Sequence, residues 1–151
     1  MILGTKARYA VMAMVELAGR EQGKPITLAE LATSQEITVP YLEQIFSKLK
    51  QSGIVKSVRG PGGGYVLARP AAEIAISEIV DASEEAIKMT RCDNHVNHGC
   101  MGGGTRCATH DLWEGLGKQI HQYLSSISLS DVQQRKLPMK ALPENTLFTN
   151  H

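Results

Sequence analysis

The stretch TVPYLEQIFSKLKQSGIVKSVRGPGGGYVLAR, residues 38–69, decides the predicted fold. Its first half is typical of a helix that buries one face, with Pro40 in the first turn, where a missing N–H costs little. The apolar residues of that face are Leu42, Ile45, Phe46 and Leu49. Two strand patterns follow, at residues 54–58 and 65–69, joined by the loop RGPGGG at 59–64. The stretch therefore predicts a helix followed by a β-hairpin.

Two further helices are predicted before this stretch. Residues 5–20 repeat apolar side chains at the i, i+3, i+4, i+7 spacing of an amphipathic helix. Thr27 with Glu30 three residues later is the capping-box pattern, which predicts that a second helix begins there. A tight turn then leads to the third helix, for which Thr38 is the predicted cap. Three helices and a hairpin in this order predict a winged helix-turn-helix domain over residues 1–70.

The outward face of the third helix carries groups that hydrogen-bond to base edges or phosphates. These residues are Tyr41, Glu43, Gln44, Ser47 and Lys48. Arg59 opens the hairpin loop, where a basic side chain suits insertion into a DNA groove. Residues 1–70 hold nine Lys and Arg against five Glu, whereas residues 71–151 hold seven basic and ten acidic residues. An inert three-helix bundle is the alternative, but this pattern favours double-stranded DNA as a partner.

All three cysteines lie within a stretch that has almost no apolar side chains to bury them. Three cysteines cannot all pair within one chain, and a reducing cytosol disfavours disulfides, so a metal or redox role is favoured. The spacing is Cys92-x7-Cys100-x6-Cys107-x2-His110. Intervening glycines would let the loop wrap one centre, and the spacing alone fits zinc and a [2Fe-2S] cluster equally well. His95 and His98 are competing ligands, although a loop histidine is more often solvated.

The segment DLWEGLGKQIHQYLSSI, residues 111–127, predicts a long amphipathic helix. Its apolar stripe consists of Leu112, Trp113, Leu116, Ile120, Tyr123, Leu124 and Ile127. The stripe could pack on its own domain, but we favour a dimer helix, because helix-turn-helix proteins commonly read two half-sites as symmetric pairs. We therefore divide the rest of the chain into a linker and Cys/His loop at 71–110, a dimerisation helix at 111–130 and a flexible tail at 131–151.

Three segments, ARYAVMAM, YLEQIFSKLKQSGIVKSVRGPGGGY and CATHDLW, together resemble the IscR-type iron-sulfur cluster regulators, which are winged-helix transcription factors. The resemblance covers roughly residues 1–130. It implies a homodimer that binds a [2Fe-2S] cluster and controls cluster-assembly genes, with a cluster-assembly scaffold as a candidate donor. By position, the implied cluster ligands are Cys92, Cys100, Cys107 and His110. The implied base-contacting residues are Glu43, Gln44 and Arg59.

The sequence departs from that family at two places. Pro40 stands where the family has a serine that helps to contact DNA, and the gaps between the cysteines are longer than the usual ones. Two alternatives stay open: a nitric-oxide or iron sensor of the same fold, and a zinc-stabilised structural or interaction module.

Several classes of protein are not favoured by the sequence. No nucleophile–base pairing or cofactor fingerprint is found, so we do not expect an enzyme. No apolar run approaches the length of a membrane span, and the start MILGTKARYA is unlike a secretion signal. We therefore expect a cytoplasmic protein with no membrane partner.

Overall fold

The computed structural model describes residues 4–20, 23–83, 89, 101 and 103–137. Its helices are α1 (Thr5–Ala18), α2 (Leu28–Gln35), α3 (Val39–Gln51), α4 (Ile76–Ala82), α5 (His110–Ser125) and α6 (Leu129–Gln133). Strands β1 (Val55–Val58) and β2 (Gly64–Leu67) pair antiparallel, and a 3-10 turn spans Ala71–Glu73. This mainly helical architecture with one hairpin confirms the predicted winged-helix fold class.

The start of α2 follows the capping-box pattern. The Thr27 hydroxyl accepts a hydrogen bond from the Glu30 N–H at 3.1 Å, and the Glu30 carboxylate accepts one from the Thr27 N–H at 2.8 Å. The bond from the Thr27 N–H holds the pKa of Glu30 below its usual value, because only the carboxylate form accepts it fully.

The start of α3 agrees with the sequence prediction in one respect and differs in another. Pro40 lies in the first turn, as predicted, but the Thr38 side chain makes no capping hydrogen bond. The reason lies in the first turn itself, because proline has no N–H and so removes one of the donors that a cap would satisfy.

The hydrophobic core takes side chains from both parts of the chain. The four residues predicted to face inward from α3, namely Leu42, Ile45, Phe46 and Leu49, are all completely buried. Ile74, Ile79 and Leu129, which follow the wing in sequence, belong to the same buried cluster. The described segments after residue 70 therefore pack directly on residues 1–70, the predicted winged-helix domain.

Strand β2 of the hairpin is hydrogen-bonded on both edges, to β1 on one and to Ile26 on the other. Its register pairs Val55 with Leu67 and Val58 with Gly64. On the other edge of β2, Tyr65 exchanges two backbone hydrogen bonds with Ile26, at 2.8 and 3.0 Å. The hairpin is therefore joined to the residue that precedes the capping box of α2.

Side chains then fix the hairpin against α3. The Tyr65 ring lies 4.8 Å from the Phe46 ring, measured between centroids. The Lys50 ammonium donates a hydrogen bond to the Ser57 hydroxyl at 2.9 Å. The hairpin and α3 therefore form one packed unit.

Backbone hydrogen bonds join the segment that follows α5 to the residues at the start of α4. The Ile76 N–H donates to the Ile127 carbonyl at 2.9 Å, and the Leu129 N–H donates to the Ile74 carbonyl at 2.8 Å.

None of the helices formed by the described residues is long and apolar enough to cross a bilayer.

The short helix α6 (Leu129–Gln133) has no counterpart among the helices predicted from the sequence. This helix begins with a second capping box, in which Ser128 Oγ accepts from the Asp131 N–H at 3.0 Å. Residues 131–133, which the sequence predicts to be part of a flexible tail, belong to α6, because Leu129 at its start is buried in the core. The tail residues 138–151 lie outside the described part of the chain.

Candidate DNA-binding face and metal-ligand cluster

The outward face of α3 presents polar side chains to solvent. Glu43, Gln44 and Ser47 are exposed, on the side of the helix opposite its buried apolar residues. Lys48, near the C-terminal end of the helix, is half-buried. This face can therefore offer hydrogen-bonding groups to base edges without disturbing the core.

Tyr41 has a different environment from the rest of the predicted face. Its side chain is half-buried, and its ring packs edge-on against Tyr9 of α1, with 5.8 Å between ring centroids. The apolar body of the ring thus contributes to helix packing.

Arg59 directly follows β1 and is exposed. The loop after it folds back tightly, since a Cβ at Gly63 would lie 2.4 Å from the Val58 carbonyl oxygen. Because the hairpin is packed on α3, the backbone that carries Arg59 is held against that helix.

The two predicted metal ligands that the structure describes lie on one turn. The His110 N–H donates a hydrogen bond to the Cys107 carbonyl at 3.1 Å, and His110 is the first residue of α5. The imidazole is buried, with 3 % of His110 exposed, whereas Cys107 is half-buried. The Cys107 Sγ lies 3.5 Å from the Thr109 hydroxyl. Cys92, Cys100, His95 and His98 lie outside the described residues.

Two carboxylates that the sequence analysis passed over lie beside His110. Potential ligand atoms of His110, Asp111 and Glu114 all lie within 4.8 Å of one another. The sequence signal is H-D-x-x-E at the start of a helix, where residues four apart share a face. Glu114 also lies 3.6 Å from Lys118, one turn further along.

The far half of α5 is joined to α4. The His121 Nε2 lies 3.0 Å from the Asp81 Oδ2, and the Ser125 hydroxyl donates to the His121 carbonyl at 2.8 Å. Both members of the His121–Asp81 pair are about half exposed, so the contact contributes little to stability.

The apolar stripe predicted on α5 is divided between core and surface. Ile127, just beyond the helix, is buried in the core, and Leu124 packs against it. Towards the start of the helix, 62 % of Leu112 and 38 % of Trp113 are exposed, and Tyr123 is 40 % exposed. The described part of the chain thus leaves a row of large apolar side chains in solvent.

Proteins similar in sequence to this chain are described as transcriptional regulators. The sequence profile of the Rrf2 family, described as "Iron-dependent Transcriptional regulator", matches residues 3–135. The "HTH-type transcriptional regulator IscR" of Photorhabdus laumondii is 47 % identical over 132 residues, which are 87 % of this chain and 79 % of that protein. The "Putative HTH-type transcriptional regulator ORF2" of Azotobacter vinelandii is 48 % identical over 135 residues, 89 % of this chain and 80 % of that protein.

Solved structures with the same fold are also regulators. "T. potens IscR" superposes with a TM-score of 0.71 at 32 % identity, covering 89 % of this chain and 88 % of that one. "CymR (YrzC) the Global Cysteine Regulator of B. subtilis" has a TM-score of 0.71 at 28 % identity and covers 89 % and 98 % of the two chains. These relatives are regulators of transcription and not enzymes, which confirms the expectation that catalysis is not the function.

Proposed function

This chain belongs to the Rrf2 family of transcriptional regulators, and we propose that it senses the supply of iron-sulfur clusters and controls the genes of cluster assembly. The observation that carries the proposal is the burial of His110, one turn after Cys107, at the first residue of α5. Burying an imidazole at a helix start beside a cysteine is a natural arrangement for a metal ligand, because burial fixes its ring.

The donor chemistry fits a [2Fe-2S] cluster. In the proposal, Cys107 and His110 act together with Cys92 and Cys100, so the chain provides three thiolates and one neutral imidazole. When bound, the cluster supplies redox-active iron that can be lost or damaged. His110 must be deprotonated at its ligating nitrogen, and the cysteines must be thiolates, so binding displaces protons.

The route from the ligands to the DNA-binding face runs along α5. His110 begins this helix, while its other end is tied to α4 by the His121–Asp81 contact and to the core by Ile127. α4 in turn packs on α1. A change in the position of the His110 side chain would therefore move the start of α5, a helix that contacts residues 1–70 through α4.

The exposed row on α5 is the proposed homodimer surface. Leu112, Trp113 and Tyr123 would be covered by the same residues of a second copy, which gives a symmetric interface. Two copies would present two α3 helices and two wings to paired half-sites on duplex DNA. Replacing Trp113 with Glu should then yield monomers in size-exclusion chromatography and weaken binding to a two-half-site duplex.

The proposal is tested by purifying the full chain without oxygen. We expect a coloured protein whose iron and sulfide contents correspond to one [2Fe-2S] cluster per chain, and whose reduced form gives an electron paramagnetic resonance signal. Cys107→Ala should lose the cluster, and the matched control His121→Ala should keep it, because His121 lies outside the Cys/His loop. DNA sites selected from a random library should differ between cluster-loaded and cluster-free protein.

Two results would count against this function. A colourless protein with one zinc per chain would identify a zinc-stabilised module. A protein that holds the cluster but selects the same DNA sites with the same affinity in both states would not be a cluster sensor.

A further inference from the structure

We propose that His110, Asp111 and Glu114 form a second metal site, which takes a single first-row divalent cation in the cluster-free chain. The potential ligand atoms of these residues lie within 4.8 Å of one another. Cys107 lies outside this group of three. The site is therefore distinct from the thiolate site in its donors, although it shares His110.

The spacing of the three residues explains why they meet. His110, Asp111 and Glu114 occupy the first, second and fifth positions of α5, so the first and last are neighbours on one face of the helix. Ligand atoms about 2.1 Å from one metal ion are about 3 to 4 Å apart. Asp111 is exposed and Glu114 is half-buried, so in the proposal their side chains rotate to close the group around the ion.

Burial makes this group more than a pair of surface carboxylates. His110 is 3 % exposed, so its ring has a fixed position on which the two acidic side chains can converge. Asp111 and Glu114 bring two negative charges to the positive end of the α5 dipole, which by itself would repel a cation. Lys118, 3.6 Å from Glu114, is 67 % exposed and so competes only weakly for that carboxylate.

The donors also define the kind of metal. One imidazole and two carboxylates suit Mn²⁺, Fe²⁺ or Zn²⁺, and water can fill the remaining positions. A site of this type would let the cluster-free protein bind a free divalent ion without using its cysteines.

Sharing of His110 makes the two sites mutually exclusive, and this part of the inference rests on the proposed function. If His110 ligates the cluster, it cannot hold the divalent ion at the same time. Loading the cluster should therefore release the bound cation. The metal site itself requires no cluster and can be tested alone.

The probe is Mn²⁺, because this hard ion favours nitrogen and oxygen ligands over thiolates. The full-length, cluster-free chain is titrated with Mn²⁺ under reducing conditions, and the loss of the free-ion electron paramagnetic resonance signal gives the bound fraction. We expect one ion per chain. Asp111→Asn and Glu114→Gln should each weaken binding by about 10- to 100-fold or more.

Matched variants separate this site from a neighbouring carboxylate and from the cysteines. Asp81→Asn removes a carboxylate of α4 that faces α5, and Cys107→Ala removes a thiol near the site. Both variant proteins should bind Mn²⁺ with the affinity of the unchanged protein, because neither residue belongs to the group of three. Asp111→Asn and Glu114→Gln should keep the circular dichroism spectrum of the unchanged protein, which shows that they fold. If the proposed function holds, they should also still acquire a [2Fe-2S] cluster.

The outcomes are distinguishable from those of the proposed function. Absence of a one-to-one Mn²⁺ complex, or binding unaffected by Asp111→Asn and Glu114→Gln, would overturn the second site. Mn²⁺ binding that depends on these carboxylates in a protein that never takes up a cluster would support the second site while removing the sensing function.

Discussion

Gly64 lies so close to the backbone of Ile26 that a Cβ atom at position 64 would be 2.3 Å from the Ile26 carbonyl oxygen. This approach results from the pairing of β2 with the residue before the capping box of α2. Gly64 also has a φ of +149°, a conformation that residues with side chains rarely adopt. The attachment of the wing therefore depends on the absence of a side chain at this position.

We predict that Gly64→Ala lowers the free energy of unfolding by about 2 to 3 kcal/mol, because it adds both a backbone clash and an unfavourable φ. Urea denaturation followed by circular dichroism measures this difference. Specific DNA binding should fall as well, since the displaced hairpin carries Arg59.

Gly115→Ala is the matched control, since a Cβ at this helical position meets no atom within 4 Å. It should raise the free energy of unfolding by about 0.5 to 1 kcal/mol through helix propensity. Equal effects of the two substitutions would contradict the close approach of Gly64 to Ile26.

Glu78 links two parts of the chain and gives a pH-dependent prediction. Its carboxylate accepts hydrogen bonds from the Ala75 N–H at 2.8 Å and from the Arg69 guanidinium at 2.6 Å. The bond from Ala75, and then the ion pair with Arg69, hold the pKa of Glu78 below its usual value of 4.5. Because the folded pKa is lowered, this stabilisation is complete above the unfolded pKa and is lost as the pH falls through the folded pKa.

We predict that Glu78→Gln lowers the free energy of unfolding by about 1 kcal/mol near pH 7, a modest value because the carboxylate is partly exposed to solvent. The difference between the two proteins should shrink below about pH 4, where the unchanged protein also loses its carboxylate. Urea denaturation at several pH values measures this difference in the free energy of unfolding. A difference that stayed constant down to about pH 2 would mean that charge on Glu78 does not matter.

Local signals predicted much of the fold. The Thr27 and Glu30 pair marks the start of α2, and the apolar spacing of α3 identifies its buried face, because both depend on residues within one or two turns. The short helix α6 has a similar capping signal in Ser128 and Asp131, but it has only five residues and little periodicity. Its helical state depends on the anchoring of Leu129 in the core.

Contacts between distant parts of the chain could not be predicted in the same way. The pairing of Ala75 with Ser128 and that of Ile26 with Tyr65 join residues far apart in sequence, and no local pattern specifies either pair. For the candidate metal site, residue types and spacing alone make Cys107 and His110 predicted ligands, and this stays a prediction. The convergence of Asp111 and Glu114 on His110 was missed, because acidic residues at a helix start usually serve only the helix dipole.

Arg59 gives a prediction about DNA affinity. If its guanidinium makes a bidentate contact to guanine, Arg59→Ala should weaken specific binding by about 1 to 3 kcal/mol. Fluorescence anisotropy on a duplex selected from a random library, and on a scrambled duplex, measures both affinities. Lys118→Ala, on α5 and 67 % exposed, is the control for loss of one positive charge. Equal losses on the two duplexes would show that Arg59 contacts only phosphate.

Glu43 is expected to restrict the sequences that are bound. An exposed carboxylate on the face of α3 is repelled by phosphates unless a cytosine amino group meets it. We therefore predict that Glu43→Ala broadens the range of duplexes selected, without loss of affinity for the preferred one. Glu73→Ala, which removes an exposed acidic residue from the 3-10 turn, should leave the selection unchanged. A uniform fall in binding to every duplex would instead assign Glu43 to the fold.

His110 is predicted to make the bound cluster easier to lose. A neutral imidazole in place of a thiolate leaves a cluster less negative and raises its reduction potential, and protons compete with iron for an imidazole near neutral pH. We predict that His110→Cys still binds a [2Fe-2S] cluster, with a lower reduction potential and slower loss to a chelator. Visible absorbance during chelator challenge measures the rates, and potentiometry measures the potential. Equal rates of cluster loss in the unchanged protein and His110→Cys would mean that His110 is not a ligand, and His95 or His98 would become the better candidate.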